Sequence, residues 1–391
     1  MTKQDALFEI TKDHLETGLR GYPVGHCPTS YVDAQKGLFY AGIAIDELIG
    51  WVPQEVIYLL YQGKKGSKEE VEVFHANLKK RAGCSDELKK SICSLPRQGH
   101  PMKLFCAALL LCGMVEGKGD YREDCLNLIA KIPEVAAIVI NHHAGWGGTN
   151  PSLPDLGYIP NFVHMLNAPD IDRKTLMPVF QLFNILHYDH GGGNLSTFIG
   201  KAVASGLEDM YGSMASAMCA LAGPRHGKAN QDCLEFVKEV ASTLGEGATE
   251  EEMEDLLRHR LANKQLVYGF GHAVLRVEDP RATVQYDYAK HHFPNHPLVR
   301  IALLLRNAGT KVLKENPKVT NPYPNVDAIS GTLLTAAGFP HPEYYTVLFG
   351  TSRVVGIAIQ TVYERCEARG GKGTPIVRPK YFYRPREEIS S

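Results

Sequence analysis

The sequence predicts a mainly α-helical chain of two lobes with little β structure. Three observations carry that expectation. The 391 residues exceed what one compact core usually holds. Apolar residues recur at helical spacing in segment after segment. Strand-like signal is confined to one short stretch, and there is no fixed-period repeat or low-complexity linker. With 44% hydrophobic and 22% charged residues, the composition is that of an ordinary soluble globular enzyme.

Taken in order, "GLFYAGIAI" (37–45) is the candidate strand. Leu104 to Val115 is the longest apolar stretch, too short to span a bilayer and read as a buried helix. From Val179 to His190, apolar residues fall at 179, 182, 183 and 186, one face of a helix that Gly191 to Gly193 stop. "CLEFVKEVAS" (233–242), "EEMEDLLRHRLA" (251–262), "PLVRIALLLRNAG" (297–309) and "SRVVGIAIQTVYERCEA" (352–368) read the same way. The prolines of "TPIVRPKYFYRP" (374–385) exclude helix and predict an extended tail. Two Gly-rich loops, "GPRHGKANQ" (223–231) and "LVYGFGHAVLRVEDPRA" (266–282), interrupt the helices. A Pro-rich stretch, "NPKVTNPYPNVDAISG" (316–331), leads into another helix.

The net charge of −1 supplies no overall basic excess for nucleic acid or an anionic membrane. The N-terminal "MTKQDALFEI" lacks the pattern of a signal or transit peptide, and "EEISS" is not a peroxisomal address. A cytoplasmic, bacterial-type chain is the expectation. Nine cysteines form no CxxC pair, and several, such as Cys106, Cys112 and Cys219, lie in apolar helical patterns, so reduced buried thiols are expected.

"LHYDHGGGN" (186–194) raises three chemical readings. His187 and His190 have the i, i+3 spacing of a helical metal pair, but nothing nearby fixes a third ligand. "GGGN" lacks the Lys-Ser/Thr of a phosphate loop, and "GFGHAV" follows no clear strand, which excludes a dinucleotide fold. The third reading comes from glycine-flanked histidines: His190, His226 and His272. Glycine beside a reactive side chain permits close approach of a ligand. His226 opens a helix expected near Ala229, whose positive end disfavours the imidazolium and leaves a neutral hydrogen-bond donor. Asp327, before the apolar "AISGTLLTAAG", reads alone as a helix cap. Arg276, Arg281, Arg353 and Arg378 lie near these loops, and guanidinium groups hold carboxylates bidentately. Together these residues suggest a small polycarboxylate substrate and carbon-acid chemistry.

"GFGHAVLRVEDPR" (269–281) resembles the signature segment of citrate synthases. "LHYDHGGGN", "AGPRHGKANQ", "PNVDAISG", "EYYTVLFGTSRVVG" (343–356) and "RPK" (378–380) resemble that family's other active-site segments, in the family's order. "GLRG" (18–21) and "HPM" (100–102) resemble its mitochondrial-type branch. The resemblance implies a nearly all-α homodimer with shared active sites. Its large domain would be 1–226 with 336–391, and its small mobile domain 227–335. The substrates it implies are oxaloacetate and acetyl-CoA, with no metal and no other cofactor. Asp327 would be the base, His226 would hold the thioester oxygen, and His272 would polarise the keto group. His190, His272, Arg281 and Arg353 would bind oxaloacetate, joined by Arg378 of the second subunit. Arg20, Leu266, Gly269, Arg276, Lys318 and Asn325 would contact CoA. The nearest alternatives are a 2-methylcitrate synthase using propionyl-CoA and a non-catalytic binding protein of the same fold.

Overall fold

A computed structural model describes residues 9–386. One antiparallel meander comes first: β1 (Ser30–Asp33), β2 (Gly37–Tyr40) and β3 (Ile43–Ala44). The expected strand at 37–45 is thus two strands, split by Ala41 and Gly42. Both have positive φ, as a two-residue hairpin turn requires. β1 is too short to announce itself in the sequence. Its register sets Tyr31 opposite Phe39, and the two rings stack at 4.7 Å.

Helices follow: α1 (Pro53–Gln62), α2 (Lys68–Arg81), α3 (Asp86–Cys93), α4 (Pro101–Glu116), α5 (Tyr121–Ala144), α6 (Tyr158–Met165), α7 (Arg173–His187), α8 (Leu195–Ser205) and α9 (Met210–Leu221). Then come α10 (Ala229–Leu244), α11 (Glu250–Ala262), α12 (Pro280–His292), α13 (Pro297–Lys314), α14 (Asp327–Ala336) and α15 (Tyr345–Val362). Local chemistry fixes many of the starts. Ser67, Ser85, Asp120, Asp172, Asn194, Asp209, Thr249 and Asp279 each accept a first-turn N–H. α1, α4, α12 and α13 begin on proline, whose missing N–H costs nothing there.

α5 is the central helix. Its length and apolar character would allow it to cross a membrane, but 89% of its most apolar window lies inside the protein. α2, α3, α4, α6, α9 and α15 pack around it. The apolar stretch 104–115 lies within α4, buried along much of its length as expected, while α5 is longer and carries charges within it. Every residue of α15 is buried. A Cβ at Gly356 of α15 would overlap the Tyr188 carbonyl oxygen, so glycine lets α15 press against the end of α7.

α10 to α14 pack chiefly on one another, with α13 and α14 at their centre. They meet the rest of the chain where α14 touches α7, α10 touches α15 and α12 touches the turn Ile45–Leu48. After α15 one π-helical turn, Tyr363–Glu367, leads into the tail, which is extended as its prolines require. All nine cysteines are free; Cys106 and Cys112 are buried as expected, but Cys219 is exposed.

Candidate active site

The site is built where the end of α7, the turn before α10, the loop 266–279, the start of α14 and the middle of α15 converge. Tyr40 of β2 fixes the first of these. Its hydroxyl donates to the Ile185 carbonyl (3.0 Å) and accepts the Asp189 N–H (3.1 Å). The fully buried Asp189 carboxylate accepts from the Thr29 hydroxyl, from Gln360 Nε2 (2.8 Å) and from the His190 N–H (2.9 Å). Asp189 is therefore an anchor for the backbone of His190. His187 is a packing residue: its Nδ1–H donates to the Phe183 carbonyl (2.7 Å) and its ring stacks on Phe183 at 4.1 Å. Burial, then the Arg281 charge, pushes its pKa down to about 3. Among the described residues no three His, Cys, Asp or Glu side chains converge as a metal-ligand set. His190 points the other way, into the cleft, where its Nε2 is shielded from water and has no partner. Its ring meets that of His272 edge to face at 5.1 Å.

Backbone donors select the tautomers of the other two histidines. His226 Nε2 receives the Ser196 N–H (3.3 Å) and lies 2.9 Å from the Ser196 hydroxyl. An N–H can only donate, so Nε2 is the acceptor and the ring proton sits on Nδ1. His272 is the mirror case. Its Nδ1 accepts the N–H groups of Val274 (3.0 Å) and Leu275 (2.9 Å), which leaves the proton on Nε2. Burial pulls both rings down to about 4, with Arg353 adding to the effect at His226 and Arg281 at His272. Each is a neutral donor at pH 7. His226 does not open α10, which begins at Ala229 with Lys228 as its cap. Its neutrality comes from burial and the arginine charge, not from a helix end.

Two buried guanidinium groups supply the positive charge. Arg281 is held bidentately by Asp279, Nε to Oδ1 at 3.0 Å and Nη2 to Oδ2 at 2.7 Å. Asp279 also caps α12, so one carboxylate fixes both the helix start and the arginine. Arg353 is the larger anomaly. It is 2% exposed and donates through Nε to the His187 carbonyl (3.0 Å), with its guanidinium 4.7 Å from the centre of the Phe349 ring. Among the described residues it has no ion-pair partner. Burial lowers its pKa to about 10. A guanidinium buried without a carboxylate is costly unless an anion arrives to pair with it.

Asp327 faces these groups. It is not a cap: it is the first residue of α14, and Val326 holds the cap position. Its Oδ1 is sealed from solvent without any hydrogen-bond partner. Burial is the largest cause of a pKa raised to about 7; the Asp279 charge adds to it, while Arg281 and Arg353 oppose it. Asn325 sets the approach, accepting the Asp327 N–H (3.0 Å) and donating to the Gly271 carbonyl (2.9 Å).

Four of the six residues expected at CoA lie on two segments joined back to back. Phe270 bridges Pro324, the Asn325 N–H donates to the Gly269 carbonyl (2.9 Å), and the Gly271 N–H to the Tyr323 carbonyl (3.0 Å). Gly269 has φ +82°, and a Cβ there would lie 2.8 Å from the Ala328 Cα, so no other residue fits. Leu266 and Arg276 are exposed on the same loop; Lys318, also exposed, lies upstream of Asn325. Arg20 lies on a separate N-terminal turn, where its N–H donates to the Thr17 carbonyl (3.3 Å). Arg378 is exposed on the extended tail. Sequence reading missed Asp189, Asp279, Ser196, Phe349 and Gln360 as supports. Only Asp279, two residues before Arg281, carried a local signal.

The family model for the citrate synthase C-terminal domain matches residues 18–380. Citrate synthase 4, mitochondrial, of Arabidopsis thaliana is 37% identical over 96% of this chain and 82% of its own length. The mitochondrial citrate synthase of Citrus maxima is also 37% identical, over 96% of this chain and 83% of its own. Among solved structures, the citrate synthase of Thermotoga maritima MSB8 superposes with a TM-score of 0.79 at 27% identity, covering 94% of this chain and 96% of that one. That of Thermoplasma acidophilum, solved as a ternary complex with carboxymethyl coenzyme A and oxaloacetate, gives 0.78 at 25% identity, covering 95% and 98%. Fold and site together define an enzyme of the acyltransferase class. The chain belongs to the citrate synthase family. The expected cytoplasmic, bacterial-type location is corrected by the plant relatives, whose names are mitochondrial and point to that compartment.

Proposed function

We propose that the protein condenses acetyl-CoA with oxaloacetate and hydrolyses the resulting citryl-CoA to citrate and CoA. The observation that carries this reading is Asp327, a carboxyl group with a buried, unpartnered oxygen and a pKa near 7, beside the charges of two buried arginines. A thioester methyl is a very weak acid, so its proton moves only where the base is poised and the developing oxyanion is met by a donor. Asp327 takes that proton. The Nδ1–H of His226 holds the enolate oxygen. The Nε2–H of His272 polarises the keto oxygen of oxaloacetate as the new carbon–carbon bond forms. His190, Arg281 and Arg353 bind the oxaloacetate carboxylates, and Arg353 then gains the anion its buried charge lacks.

The rest of the assembly follows the family resemblance. Arg378 enters the site of the second copy in a homodimer. Arg20, Leu266, Gly269, Arg276, Lys318 and Asn325 contact CoA. Residues 227–335 form a small domain that closes on 1–226 and 336–391, which excludes water while the thioester is at risk. The packing of α10 to α14 on one another supports that division. No metal is needed in this scheme, since every charge is met by an organic side chain.

Thiol release from acetyl-CoA, measured with and without oxaloacetate, tests the reaction. Release that depends on both substrates is expected, with kcat/KM about 10–200 times higher for acetyl-CoA than for propionyl-CoA. A preference for propionyl-CoA, or no release, overturns the assignment.

A further inference from the structure

Gly192, the middle glycine of "GGGN", leaves room for a buried polar chain behind the site. A Cβ there would lie 3.0 Å from Lys201 Nζ and 3.5 Å from Gln360 Oε1. Lys201 of α8 donates to Gln360 Oε1 (3.3 Å) and pairs with Glu364 Oε1 (2.9 Å). Gln360 Nε2 donates to Asp189 Oδ1 (2.8 Å), the same oxygen that accepts the His190 N–H. All four residues are at most 9% exposed. At its far end, the Glu364 carbonyl accepts the Thr374 N–H (2.9 Å) at the root of the tail. The Val377 N–H, beside Arg378, donates to Ser205 Oγ (2.9 Å), one turn after Lys201 on α8.

An amide can present either end. Gln360 Nε2 also donates to the Gly191 carbonyl (3.3 Å); Lys201 is only a donor and Asp189 and Gly191 present only acceptors, so all three hold the amide the same way round. Remove Lys201 and Gln360 Oε1 is left buried without its donor, so the amide that holds Asp189, the anchor of His190, loses one of the contacts that fix it. Glu364 in turn keeps Lys201 from being a buried cation without a partner.

We propose that Lys201, Gln360 and Glu364 are positioning residues for oxaloacetate: they brace His190 from behind and root the tail that carries Arg378. The proposal rests on the reading of His190 as an oxaloacetate ligand. It is tested on the full-length protein with two variants that cut the brace at different points, Gln360→Leu and the double variant Lys201→Met with Glu364→Met. Removing both members of a buried ion pair commonly leaves folding intact. Oxaloacetate KM and calorimetric Kd are expected to rise about tenfold in each, more than any fall in kcat, with acetyl-CoA KM unchanged. Combining all three substitutions should add little. Variants that melt like the parent yet keep its oxaloacetate Kd overturn the brace while leaving the function standing. A parent protein that does not bind oxaloacetate overturns the site reading itself, and the brace with it.

Discussion

The end of α7 and the start of α14 each carry an aspartate with its carboxylate turned inward, and the two are treated in opposite ways. At the end of α7, Asp189 has both oxygens engaged, by Thr29, by Gln360 and by the His190 N–H. At the start of α14, Asp327 keeps one oxygen sealed from water and bonded to nothing. Burial pushes both pKa values up, but at Asp189 the hydrogen bonds from Thr29 and Ser30 pull back. At Asp327 no hydrogen bond does, and the value reaches about 7. A carboxylate whose lone pairs are filled holds a backbone still. One left unfilled is free to accept a proton from a substrate.

The largest expected effect breaks the comparison most directly. Asp327→Asn should lower turnover by a factor on the order of 10²–10⁴, the usual scale of general acid–base help. Its melting temperature should not fall, because no cap and no hydrogen bond of that carboxylate is lost. Asp189→Asn should do the reverse, costing about 1–3 kcal/mol of stability by leaving buried donors unmatched. Paired turnover and melting measurements check both, and a well-folded Asp327→Asn protein with near-normal turnover would sink the assignment. Next in size is Arg353→Met. Oxaloacetate KM should rise on the order of 10²-fold, since a buried anion then lacks its partner. The free protein should be no less stable, because an unpaired buried cation is gone.

Smaller effects lie in pH. kcat/KM should rise as pH climbs through about 7, where Asp327 loses its proton, and Asp327→Asn should lose that limb. The stability of the free protein carries the matching sign. Asp327 holds its proton more tightly folded than unfolded, so its contribution is lost as pH rises from about 4 to about 7. The histidines act oppositely. His187, His226 and His272 are depressed from 6.5 to about 3, 4 and 4, so stability falls as pH drops below 6.5. His187→Phe should soften that acid limb with a change of about 1–3 °C in melting temperature at pH 5, the smallest effect expected.

Much of this was legible in the chain itself. α7, α10, α11, α13 and α15 follow from apolar spacing, and His190, His226, His272 and Asp327 stand out because glycine, proline and a helix start surround them. What spacing does not carry is partnership across the fold. Gln360 sits near the end of α15 in an apolar run and meets Asp189 only because α15 crosses the end of α7 at Gly356. Asp327 was readable as a cap until Val326 took that position. β1 is four residues long, and its pairing with β2 is what makes it a strand. Arg378 lies on the tail, so no single chain reveals what it touches.

The opposite tautomers of His226 and His272 have a consequence for substitution. Asparagine carries an amide nitrogen close to where Nδ1 of histidine stands, and glutamine one close to Nε2. His226 offers its proton from Nδ1 and His272 from Nε2. The two imidazoles are therefore not exchangeable parts. Asparagine is the nearer mimic at 226 and glutamine at 272, and a swapped pair would aim each amide away from the atom it should meet.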